Sequence, residues 1–216
     1  MIHASACGTR KMSDETLPVG ATPGDDISGL LATNLATRTA RNAAETDTIG
    51  RAYDKHIFRA RRKKRASGWL TDEFLKTVHH DMFGSIWDWA GKYRTTRVNI
   101  GVESYLIQEN IQTLCGDFSY WDSSDSSMPI VEIAARLQNR LTKIHPFKNG
   151  NGRHARLLTD IFLYSREHPL PQWPQIHLMS QGHEIREQYI NAMKKADQGD
   201  YSELIRFIES CLSQRG

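Results

Sequence analysis

Apolar residues recur at helical spacing over most of this chain, and short polar or Gly/Pro-bearing breaks separate the runs. Residues 71–82 show it most plainly. Thr71 suits an N-cap, Asp72 and Glu73 suit a first turn, and Phe74, Leu75, Val78 and Met82 form an apolar stripe. Pro129 fits a first helical turn, and Ile130, Ile133, Ala134, Leu137 and Leu141 continue as a stripe to His145. Leu157, Leu158, Ile161, Phe162 and Leu163 are apolar almost all round, the pattern of a helix buried on every side. Further helices are predicted over residues 37–58, 109–121, 183–195 and 201–212. Between residues 91 and 107 the period changes: Val98, Ile100 and Val102 alternate with polar residues about Gly101, which predicts a short hairpin. Residues 1–29 carry Gly, Pro, Ser and Thr without periodicity and read as a flexible arm. The expectation is an all-α domain over residues 30–216 with one small β-hairpin.

The polar positions concentrate between the two most apolar helices, in His145-Pro146-Phe147-Lys148-Asn149-Gly150-Asn151-Gly152-Arg153-His154-Ala155-Arg156. Pro146 resists continuation of the helix before it, so His145 falls at a helix end where its ring can face a cleft. Asn149 to Gly152 can take the positive-φ conformations of a tight loop. The amides of such a loop can converge on an anion at the positive end of the next helix. Arg153 and Arg156, three residues apart, are expected to share a face. Two guanidinium groups there suit a polyphosphate. An imidazole with a reference pKa near ~6.5 can take a proton from a hydroxyl at neutral pH. The combination points to phosphoryl or nucleotidyl transfer to a hydroxyl.

Composition narrows the class further. At 216 residues, 39% hydrophobic and 25% charged, the chain can bury a proper core as one domain. Its formal net charge of +3 sets up no global field that demands nucleic acid. The run Arg59-Ala60-Arg61-Arg62-Lys63-Lys64-Arg65 carries six cations in seven residues, but no aromatic residues interleave for base stacking, so a solvated helix end is preferred and nucleic acid is not expected. Cys7, Cys115 and Cys211 lack metal-ligand spacing and read as free thiols. No membrane span or apolar signal segment is apparent, and a cytoplasmic location is expected.

The central stretch resembles the signature of the Fic/Doc (Fido) superfamily, H-x-F-x-[D/E]-G-N-[G/K]-R-x-x-R. His145, Phe147, Gly150, Asn151, Gly152, Arg153 and Arg156 match it, and Asn149 stands where the family has an acidic Mg²⁺ ligand. The wider chain, including Trp87-Asp88-Trp89-Ala90-Gly91-Lys92-Tyr93-Arg94, is similar to a bacterial subgroup called "mobile mystery protein B". The resemblance implies a protein adenylyltransferase. ATP phosphates would lie against Gly150, Asn151, Gly152, Arg153 and Arg156, with Asn149 as a neutral Mg²⁺ ligand. His145 would be the base for a Ser, Thr or Tyr hydroxyl of a target protein. It also implies that the hairpin, Thr95, Thr96, Arg97, Val98, Asn99 and Ile100, registers the target's backbone. A neighbouring helix-turn-helix or antitoxin-like protein is implied as a partner.

Many members of that superfamily carry an inhibitory helix, [S/T]-x-x-x-E-[G/N], whose Glu pairs with the second motif arginine. Glu45, in the helix expected over residues 37–58, is the matching position, although Arg41 and Thr46 depart from the flanks. Glu45 is therefore either a solvent-facing helical residue or the partner of Arg156. Phosphorylation, UMP transfer, phosphocholine transfer and a peptide-binding module with little turnover are the alternative functions. Gly152, where Doc-type variants carry Lys, favours nucleotidyl over phosphoryl transfer.

Overall fold

The computed structural model describes residues 26–31, 34–35, 37–60, 68–179 and 182–212. Its helices are α1 (Arg38–Ala60), α2 (Asp72–Phe83), α3 (Ile107–Trp121), α4 (Ile130–Ile144), α5 (Asn151–Ser165), α6 (Gln175–Met179), α7 (Glu184–Asp197) and α8 (Ser202–Leu212). The local signals act as expected. The Thr71 hydroxyl caps α2 by accepting from the Phe74 N–H at 3.1 Å. Pro129, which has no N–H to lose, stands at the N-cap of α4.

The apolar helix, α5, lies at the centre. Leu158, Ile161 and Phe162 are fully buried among α1, α2 and α4. Removing each such side chain from water contributes about 1.5–3 kcal/mol. α4 divides the interior. One face joins this main core through Ile133, Leu137 and Leu141, and the other, through Ala135, meets a smaller core built from Tyr189, Met193, Leu204 and Ile208 on α7 and α8. Among the described residues no helix is long and apolar enough to cross a membrane.

One expectation is corrected. The hairpin is absent among the described residues: residues 94–103 form an irregular loop before a 3₁₀ turn, Ser104–Leu106. The carbonyls and N–H groups that a hairpin would pair across strands go elsewhere. Val102 donates its N–H to the Ile144 carbonyl at 3.3 Å, and the Arg94 guanidinium donates to the Thr96 and Val102 carbonyls. Gly101, at φ +110°, lets this loop lie against the end of α4. Of the arm expected over residues 1–29, residues 26–29 are described. Residues 1–25 lie outside the described residues, but residues 26–31 are docked: Leu31 donates its N–H to the Ile86 carbonyl at 2.9 Å, and Asp26 pairs with Lys148 at 2.8 Å. Arg61 to Arg65 of the basic run lie outside the described residues as well.

Candidate active site

α4 ends where Pro146 disfavours a further helical residue. His145 takes the left-handed conformation, φ 53° and ψ 58°, and its N–H bonds back to the Leu141 carbonyl at 3.0 Å. This is an αL helix ending made by a non-glycine residue, which needs support from its surroundings. The imidazole is 7% exposed. Burial, helped by the positive charge of Arg94, pushes its pKa down to about 4, so at neutral pH the ring is uncharged and able to accept a proton.

The loop after it is held from inside. Phe147 is fully buried and anchors the loop in the core. The Asn151 side chain closes on it twice: Oδ1 accepts the Phe147 N–H at 2.9 Å, and Nδ2 donates to the Phe147 carbonyl at 2.8 Å. The Asn151 side chain is therefore spent on the loop, and its backbone N–H is left for a phosphate. Gly150, at φ +79°, is required here. A Cβ on it would stand 2.6 Å from the Phe83 ring.

His79 of α2 holds the same loop from below. Its Nδ1 accepts the Gly91 N–H at 3.0 Å, which fixes the proton on Nε2, and Nε2 donates to the Asn149 carbonyl at 3.0 Å. The ring stacks on Phe147, centroids 3.7 Å apart. Replacing His79 with leucine leaves a buried N–H and a buried carbonyl without partners. We expect a stability loss of about 2–4 kcal/mol in chemical denaturation, and a curve overlying that of the wild type would refute this bracing role.

α5 opens at Gly150, and the N–H groups of Asn151, Gly152 and Arg153 have no carbonyl four residues back inside the helix. They are the donors a phosphate needs. The arginines do not share a face as expected. Arg153 turns to α1, where its Nη1 meets Glu45 Oε2 at 2.5 Å, while Arg156 is buried and donates from Nη2 to Gln175 Oε1 at 2.9 Å. Glu45 is 7% exposed, and its Oε1 accepts the Trp87 indole N–H at 2.8 Å. So Glu45 is not solvent-facing, and the expected Glu45–Arg156 pair is a Glu45–Arg153 pair. α1 packs along α5 and brings Glu45 to Arg153, while Gln175 takes the second arginine. Close to Arg156, burial pushes the Asp160 carboxyl up to about 8, against the Trp173 N–H bond and the Arg156 charge that favour its ionised form.

The metal expectation meets a poor donor set. Asn149 Oδ1 is turned inward and accepts the Gly150 N–H at 2.6 Å. Among the described residues no group of three or more His, Cys, Asp or Glu side chains could hold a metal ion. One neutral oxygen, already bonded, is not a Mg²⁺ site in its own right.

The Fic/DOC family model matches residues 69–163, from just before α2 through the motif and along α5. Residues 69–163 are thus similar to a Fic/DOC domain. The chain is 33% identical over 124 residues to "Protein adenylyltransferase Fic" of Drosophila grimshawi, an alignment covering 56% of this chain and 24% of that protein. The chain thus spans about a quarter of that relative's length. Among solved structures, a Fic-domain-containing signalling protein of Bacteroides thetaiotaomicron superposes with a TM-score of 0.60 at 19% identity, covering 76% of this chain and 68% of that one. BepC of Bartonella tribocorum, a translocated effector solved with bound AMPPNP, gives 0.54 at 15% identity, covering 86% and 96%. These two likenesses establish the fold.

Three residues of this site were missed from the sequence: His79, Trp87 as the partner of Glu45, and Arg94. His79 left a usable signal, since it falls on the buried stripe of Leu75 and Met82 and must therefore find partners for its nitrogens. Arg94 sits in irregular backbone, where no period marks a side chain as buried.

Proposed function

We propose that this Fic/DOC chain transfers AMP from ATP to a Ser, Thr or Tyr hydroxyl of a protein. The triphosphate lies over the α5 N-terminus, on the N–H groups of residues 151–153 and on the arginines. His145 takes the hydroxyl proton as the oxygen attacks the α-phosphorus. The bond from the α-phosphorus to the bridging oxygen breaks, and pyrophosphate leaves with the electron pair. Donors fixed by the fold need no reorganisation as charge develops on the phosphate oxygens. The observation that carries this reading is an uncharged, buried imidazole at the end of α4, five residues before a helix start with free N–H groups. The curated relatives named as protein adenylyltransferases agree with it. The exposed segment Thr95, Thr96 and Arg97, with Val98, Asn99 and Ile100 after it, is the part of the loop that would hold the target backbone.

Incubation with ATP labelled at the α- or the γ-phosphate tests the reaction. Label from the α-position alone on protein supports AMP transfer. Label from the γ-position alone means phosphorylation and overturns it. No label from either favours the second reading, a peptide-binding module with little turnover, which the missing acidic residue at position 149 supports.

We propose that Mg²⁺ arrives with ATP, held chiefly by the phosphates, which supply the charge that Asn149 does not. Asn149→Asp is then expected to lower the Mg²⁺ concentration for half-maximal activity by about tenfold, the equivalent of about 1.4 kcal/mol. An unchanged metal titration would count against position 149 as a ligand. Membership of the bacterial subgroup, and with it a helix-turn-helix or antitoxin-like partner, rests on the Asn149-bearing motif and residues 87–94; the curated relative named above is an animal protein. A cytoplasmic location suits an ATP-dependent enzyme whose Cys115 and Cys211 are free thiols.

A further inference from the structure

We propose that Arg94 is a positioning residue for the transfer reaction: its guanidinium fastens the 95–103 loop to the end of α4 and holds His145 in its left-handed turn. The inference rests on His145 being the base.

Arg94 is 5% exposed, a deep position for a cation. Among the described residues no carboxylate hydrogen-bonds to it, and Glu103, whose charge acts on it, lies 3.4 Å from Arg97 instead. Its donors go to backbone carbonyls on two segments. Nε donates to His145 at 2.7 Å, and Nη2 reaches Ile144 at 3.5 Å. Nη1 donates to Thr96 at 3.0 Å, and Nη2 also bonds Val102. The main-chain N–H of Arg94 binds the Pro146 carbonyl at 2.9 Å.

Each contact meets a need of the fold. The last carbonyls of α4 have no partner within the helix, and the negative end of its dipole favours a cation. The same plane of N–H groups reaches across to the loop, which has no hairpin to order it. A lysine could supply the charge but not the planar span. Gly101 shows how tightly the two parts fit. A Cβ there would lie 2.6 Å from His145 Cβ and 2.8 Å from Arg94 Nη2. Loop and base therefore move together, and whatever seats a target on the loop is registered against the imidazole. The charge has a second effect. With burial, and against the pull of the Thr142 carbonyl, it keeps His145 unprotonated.

The test compares wild type, Arg94→Lys, Arg94→Met, Gly101→Ala and His145→Ala. The readouts are kcat and KM for α-labelled ATP, and NMR titration of the His145 imidazole, which needs no turnover. Arg94→Lys keeps the charge and loses the span, so kcat is expected to fall about tenfold or more with KM for ATP and the His145 pKa unchanged. Arg94→Met should also raise the His145 pKa towards 6.5. Gly101→Ala, whose Cβ would press on both His145 and Arg94, should lower kcat and shift the His145 resonances while leaving the guanidinium charge in place. Arg94→Lys with wild-type kcat and wild-type His145 resonances would overturn the proposal. If Arg94→Met fails to fold, Arg94→Lys and Gly101→Ala decide it. Equal transfer by wild type and His145→Ala would instead sink the base reading, and the NMR titrations would still report whether Arg94 governs the ring.

Discussion

Replacing His145 with alanine is expected to lower transfer of α-label about 10²–10⁴-fold, the usual contribution of a positioned general base. KM for ATP should change little, because the imidazole is assigned to the hydroxyl and not to the phosphates. Retention of most of the rate would remove His145 from the mechanism. The pH profile adds an independent check. Protonation removes the base, and the folded-state pKa is about 4, so activity should hold from neutral pH down to about 5 and fall below that. An acid limb at 6.5 would mean that the ring titrates as if exposed. Stability sets a boundary on this assay. His145, and His154 with a folded pKa of about 3, both lie below the unfolded value near ~6.5. The unfolded chain then binds more protons than the folded one between those values. Their contribution is complete above pH 6.5 and is lost as the pH falls, by up to about 1.4 kcal/mol per pH unit for each group. Activity at pH 5 must therefore be read beside a denaturation curve at pH 5.

Glu45→Gln is expected to raise transfer by about tenfold or more. In the wild type a phosphate oxygen and the Glu45 carboxylate compete for Arg153, and a charge-assisted bond of this kind is worth about 1.5–3 kcal/mol. Glutamine removes the charge, while its carbonyl oxygen can still accept the Trp87 indole N–H, so α1 should stay in place. Glu45→Gly should raise the rate similarly but cost about 1–3 kcal/mol of stability, since it leaves the buried indole N–H unpaired. Equal rates in wild type and Glu45→Gln, alongside a large loss in Arg153→Ala, would show that Glu45 holds α1 in place without restraining the reaction. Because Gln175 and not Glu45 binds Arg156, substitution of Gln175 should not reproduce the activation.

Helical spacing made most of the fold legible. Every predicted helix is present, and the all-round apolar run of 157–163 lies at the centre of the core. The motif was legible too, because its chemistry sits on consecutive residues. What the sequence concealed lies in contacts between distant segments. Alternation at Val98, Ile100 and Val102 resembles a strand, but Arg94 draws the carbonyls that would form the ladder. Motif matching put Glu45 on Arg156, whereas the position of α1 along α5 delivers it to Arg153, nearer the helix start. The motif likewise gave no sign that the Asn151 side chain would close on the Phe147 backbone.

α5 is both the centre of the core and the floor of the site. A protein with its site on peripheral loops can loosen that site by a local opening and keep its interior shut. Here no such opening is available to residues 155–163, whose amides should exchange with solvent only when the whole domain unfolds. A nucleotide resting on the first turn of α5 stabilises the folded state as a whole. Its binding should therefore slow deuterium uptake at Leu158 and Phe162, two to three turns into the interior, as well as at the loop it touches.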